Sequence, residues 1–86
     1  MQRLEILQDW IRVEDFEVDA GEHRTYEFHV VQDPQVGRVT LTIKCLDGEE
    51  KTIRLDPTII GSNPDRSDFP RLAERRIRHL YTTGMI

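Results

Sequence analysis

Three histidines, one cysteine and two serines are the residues of this 86-residue chain that could supply acid–base, nucleophilic or metal chemistry. His29 shares the outward side of a strand pattern with Glu27, but two side chains do not complete a zinc site, and neither HxH nor HExxH spacing occurs. His23 falls in a turn, and His79 near the end of a helix pattern, where positive charge is favourable without any further role. Cys45 alternates with threonine and lysine in a row with Val39, Leu41 and Ile43, where a free thiol behaves as a small, inert apolar group. Ser62 and Ser67 lie outside any GxSxG elbow, and Gly61-Ser62-Asn63-Pro64 has one glycine and reads as a turn, not as a phosphate-cradling loop. The expectation is a chain with no catalytic residues, no metal and no cofactor.

Charged side chains carry more pattern. Arg71, Arg75 and Arg78 recur at i, i+4 and i+7, a stripe opposite the apolar side of a helix that could grip carboxylates or phosphates. Arg76 falls on the apolar side, between Leu72 and Leu80, and must either snorkel over the sheet edge or find an acid within the fold. Asp15, Glu17, Asp19 and Glu27 alternate outward on two strands, with Glu17 expected opposite Glu27, and form an acidic patch suited to a basic protein surface. They lack the loop and bidentate glutamate of a calcium site. Thr58-Ile59-Ile60-Gly61-Ser62 departs from the phosphopeptide-binding pattern of forkhead-associated domains, since Ser62 stands where an arginine is expected.

These side chains need a scaffold, and hydrophobic periodicity supplies it. Alternation over Glu14–Ala20, Arg24–Gln32, Arg38–Leu46 and Glu50–Leu55 predicts four successive strands. Parity suggests a register in which Phe28 meets Leu41 and Val30 meets Val39 across a loop of Asp33–Val36. Leu41 then meets Ile53 across a Leu46–Gly48 loop, with Gly48 left-handed. A Gly21–His23 loop would set Val18 beside Tyr26 and Phe16 beside Phe28. Asp56–Ser67 reads as a turn-rich crossover. Beyond it Phe69, Leu72, Ala73, Ile77, Leu80 and Tyr81 follow a helical period, with Asp68 as cap, Pro70 in the first turn and Gly84 as a stop. In the first dozen residues Leu4, Leu7, Trp10 and Ile11 share one helical face, while Leu4 and Ile6 would equally open a strand; the helix is preferred.

The predicted architecture is therefore a single α+β domain over residues 1–86. A four-stranded antiparallel meander carries a C-terminal helix, with room for an N-terminal one, on one face and is polar on the other. With 33% charged and 37% apolar residues, no apolar run approaches the ~18 needed to span a membrane. The absence of a secretory pattern and the lone cysteine point to the cytoplasm. Residues 1–37 hold nine acids against three arginines (net −6), and residues 38–86 nine basic groups against seven acids (net +2). A total of −4 disfavours nucleic acid as partner. The expected function is a protein-interaction module or a subunit of a larger assembly, self-associating weakly or not at all. The alternative is a nucleic-acid-associated accessory protein acting through the helical arginines.

Overall fold

The computed structural model describes residues 4–47, 52–61 and 65–86. Four strands, β1 (Glu5–Asp19), β2 (Glu22–Asp33), β3 (Arg38–Asp47) and β4 (Thr52–Gly61), form one antiparallel sheet in the order β1-β2-β3-β4. A single 3-10 turn, Arg66–Asp68, leads into the helix α1 (Phe69–Thr82). No helix among the described residues is long and apolar enough to cross a membrane. Strands of 10–15 residues at about 3.3 Å per residue account for a long dimension of 42 Å. The 14-residue helix reaches only about 21 Å.

The core is the inward row of each central strand against one face of α1. Tyr26, Phe28, Val30, Val39, Leu41, Ile43 and Cys45 meet Phe69, Ala73, Ile77 and Leu80, all buried, and Val18 joins them from β1. These are the inward residues that alternation and helical period select, and each large one contributes on the order of 1.5–3 kcal/mol through burial. Leu72, Tyr81, Phe16 and Val13 pack at its margins. Burial, reinforced by the Glu74 carboxylate and opposed by Arg78, pushes the Tyr26 hydroxyl up to about 12, so it stays neutral. The helix ends as expected at Gly84, at φ +77°, with Met85 N–H donating to Leu80 O and Gly84 N–H to Tyr81 O, a Schellman closure. Its start differs: Asp68 makes no capping bond. Instead, Asp65 accepts from Ser67 N–H (3.0 Å) and Ser67 Oγ (2.9 Å), which holds its carboxyl below the usual value.

The first strand corrects the expectation of an N-terminal helix. Residues from Glu5 onward continue β1, because β2 runs on to Asp33 and its far end would otherwise have an unpaired edge; Ile6 pairs with Val31 and Ile11 with Phe28. β1 is irregular, with register shifts between Ile6 and Gln8, Gln8 and Ile11, Val13 and Phe16, and Glu17 and Asp19. Asp15 takes a left-handed φ of 51° within the third of these. Bulges of this kind bend an edge strand around its neighbour and blunt the edge.

The registers also shift. The first turn is Ala20-Gly21, with Asp19 paired to Glu22, so Phe16 meets Arg24, not Phe28, and Glu17 meets His23, not Glu27. Between β2 and β3, Phe28 meets Ile43, Val30 meets Leu41 and Tyr26 meets Cys45, two residues along from the expected pairing but with the same rows facing the core. The loop is Pro34–Gly37. Asp33 Oδ1 accepts from Gln35 N–H, Asp33 O accepts from Gly37 N–H at 2.8 Å, and Gly37 sits at φ +70°. Gly48 lies outside the described residues, but the proposed loop of Leu46–Gly48 does not agree with the ladder, which pairs Leu46 with Ile53 and Asp47 with Thr52. β4 also runs through the supposed crossover to Gly61, with Leu41 opposite Thr58 and Ile43 opposite Asp56. This parity turns Asp56, Thr58 and Ile60 toward the helix and Leu55, Pro57 and Ile59 away from it.

Arg76 finds its acid across this seam. Its Nε donates to Asp56 Oδ2 at 2.6 Å and its Nη2 to Asp56 Oδ1 at 3.2 Å, a two-pronged, half-buried pair between α1 and β4. Replacing Asp56 with alanine should cost about 1.5–3 kcal/mol in urea unfolding, and Arg76→Met, which keeps the packed stem, should cost less. At Gly37 open space surrounds the position of a Cβ, so only backbone strain opposes a side chain. Gly37→Val should therefore destabilise by about 1–3 kcal/mol and Gly37→Asn by clearly less, measured the same way.

Candidate functional site

The face of the sheet turned away from α1 is polar along much of β2 and β3, as expected, at Glu27, His29, Thr40, Thr42 and Lys44, but an apolar row crosses it. Across the four strands Ile6 pairs with Val31, Val31 with Thr40 and Thr40 with Ile59, one row that is apolar at three of its four positions. Ile6 is 63% exposed and Ile59 61%. Leu55 is 61% exposed and Trp10 37%, so exposed apolar side chains stand on both edge strands of a face that no element among the described residues covers. The signal was present in Ile59-Ile60, since adjacent strand residues point to opposite faces and one of the two had to look outward.

Trp10 organises the middle of this face. Its ring lies 3.9 Å from the His29 ring, centroid to centroid, and the Lys44 Nζ sits 3.8 Å from its centroid, a cation over the indole. His29 meets Thr42 in the ladder and Lys44 meets Leu55, so Trp10 on edge strand β1 reaches over two side chains that sheet pairing fixes on the adjacent β2 and β3. Burial under the indole, with Lys44 close by, lowers the His29 imidazole below its ordinary value. The cluster suits recognition more than catalysis, because it presents a flat aromatic anchor and a cation. Among the described residues, no three His, Cys, Asp or Glu side chains gather as a metal site requires.

The candidate binding residues are placed separately. Arg71 pairs with Asp68 at 3.0 Å, and Arg78 lies over the Phe16 ring at 4.7 Å, so the helical stripe is partly taken up within the fold. Arg75 instead faces a cleft between α1 and β4. The acids are dispersed as well. Asp15 occupies the bulge, its N–H 3.5 Å from Thr25 Oγ1; Glu17 Oε2 lies 3.5 Å from Gly21 N; Asp19 Oδ1 accepts from Ala20 N–H at 2.8 Å. Glu27 lies opposite Arg12, whose Nη1 is 3.8 Å from its carboxylate, so the expected like-charge repulsion with Glu17 does not arise.

The α1/β4 cleft is the second concavity of interest. Leu41, Ile60 and Leu72 form its apolar floor and Thr58, Arg75, Arg76 and His79 its rim, enclosing about 280 Å³.

The Trp10 cluster makes the sheet pH-sensitive. A histidine whose folded pKa is depressed stabilises the fold fully above its unfolded value near 6.5 and loses that contribution as pH falls through the lower folded value. Unfolding of the native chain between pH 7.5 and 5 should thus lose more stability than that of His29→Gln. Removal of the Lys44 charge by Lys44→Met should raise the imidazole titration followed by NMR. Comparison of the chain with protein-family models, with curated proteins and with solved structures finds no match.

Proposed function

We propose that this chain is a protein-interaction module that docks through the bare outer face of its sheet into a larger protein assembly. The observation that carries this reading is the row of Ile6, Val31, Thr40 and Ile59 across the sheet, with Trp10 and Leu55 also exposed on the same face. Isolated exposed apolar residues are ordinary, but a band crossing all four strands favours burial against another protein. A tryptophan at its centre, stiffened by stacking on His29, has the character of an interface anchor. Protein is favoured over nucleic acid because two of the cations of this face are engaged locally, Arg12 by Glu14 and Glu27 and Lys44 by the indole. The helical arginines are likewise partly taken up, at Arg71 and Arg78.

The double substitution Leu55→Glu, Ile59→Glu changes two exposed positions and should leave the unfolding midpoint nearly unaltered. It should abolish the stoichiometric protein complex expected when the native chain is purified from its source cells. Trp10→Ala should weaken the same complex by at least about 2 kcal/mol, roughly 30-fold in Kd by titration. A complex that survives the double substitution, or salt-sensitive binding to duplex nucleic acid lost only with Arg75→Glu, would replace this reading with the helical surface.

A further inference from the structure

The seam between α1 and β4 is divided by the Arg76–Asp56 ion pair into two apolar clefts. Around one of them, lined by Ile43, Cys45, Asp56 and Leu80 with Leu55 at its outer edge, the chain's own segment after Gly84 folds back, with Met85 and Ile86 against the seam and Ile86 packed on the core. The other, over Leu41, Ile60 and Leu72, has no such cover among the described residues.

Its rim is electrostatically one-sided. Arg76 is neutralised by Asp56, but Arg75, exposed on the same helix, has no carboxylate within 4 Å among the described residues, whereas Arg12, Arg24 and Arg71 each have one. His79 lies one helical turn from Arg75 on the same rim. A guanidinium left without a partner beside an apolar cleft selects a ligand with an apolar group next to a carboxylate. β4 is an edge strand, so an extended backbone can lie along it, as in recognition by added strands. Pro57 lacks the donor that a long added strand would need, which limits such pairing to the stretch beyond it, around Ile59.

We infer that the open α1/β4 cleft binds a short extended segment of a partner protein, an aliphatic side chain seated over Leu41, Ile60 and Leu72 and an adjacent acidic side chain paired to Arg75. The way Ile86 folds into the neighbouring part of the seam is the intramolecular counterpart of this mode. The site lies on the face opposite the proposed docking surface and stands or falls independently of it.

The test is an NMR titration of the ¹⁵N-labelled full chain with the peptide acetyl-Gly-Ser-Leu-Asp-Leu-Glu-Ser-Gly-amide. A second peptide with lysine in place of both acids and, separately, decanoate serve as comparisons. The acidic peptide should saturate at sub-millimolar concentration and shift the amides of Thr58, Ile60, Leu72, Arg75 and His79. Arg75→Glu, at an exposed position, should weaken it at least tenfold and transfer preference to the lysine peptide, while Arg71→Glu should change binding less than twofold. Thr58→Trp, filling the cleft, should abolish binding. If that variant fails to give a folded spectrum, the charge exchange at Arg75 decides alone. Absence of saturable shifts, equal binding of both peptides, indifference to Arg75→Glu, shifts on the Trp10 face, or binding of decanoate without the peptide would each overturn the inference.

Discussion

The two hydrogen bonds from Arg76 to Asp56 decide which way β4 faces, and much of the surface follows from that choice. Arg76 stands on the helix between residues that pack on the sheet, so its charge is held in a poorly solvated seam and needs a compensating acid there. Asp56 supplies it only if its side chain points toward α1. Side chains alternate along a strand, and turning Asp56 inward places Thr58 and Ile60 inward too and sends Leu55, Pro57 and Ile59 outward. The alternative parity would bury Leu55 and Ile59 and leave the guanidinium without a partner. That parity would also turn Ile60 away from the core, so the observed one keeps both the ion pair and Ile60 on the helix side, and the outward Leu55 and Ile59 are the consequence.

Geometry then limits what the helix can hide. One helix of about 21 Å covers the inward rows of β2 and β3 and the Val18 end of β1, against a sheet whose long dimension is 42 Å. Among the described residues no second helix covers the other face, so the apolar side chains that the register sends outward remain at the surface. The seam over β4 stays partly open for the same reason, and among the described residues the segment after Gly84 folds back into it.

The unequal charge of the two halves of the chain does not become two opposed patches. Part of it is resolved over short distances: Arg12 with Glu14 and Glu27, Arg24 with Glu22, Arg71 with Asp68. Exposed pairs of this kind add little stability, but they occupy the charges that a long-range attraction would need. Two cations sit beside apolar surface, Lys44 on the Trp10 indole and Arg75 at the α1/β4 cleft, one on each face of the sheet.

Alternation and helical period by themselves determined the four strands, the C-terminal helix and nearly the whole core. Tyr26, Phe28, Val30, Val39, Leu41, Ile43 and Cys45 are inward because burial acts on every second residue, and Phe69, Ala73, Ile77 and Leu80 because it acts on one side of a helix. The need of Arg76 for an internal acid was likewise legible from its place on the apolar side. The identity of that acid was not, nor the strand state of residues 5–13, the two-residue slip between β2 and β3, or the outward face of Leu55 and Ile59. Each of these depends on a partner distant in sequence: the unpaired length of β2, the Asp33 and Gly37 hydrogen bonds that set the loop, and the helix arriving over β4. Local patterns record which residues avoid water, whereas register is a choice between pairings that bury similar area. Only the assembled tertiary structure, where a single ion pair or turn bond tips that balance, makes the choice.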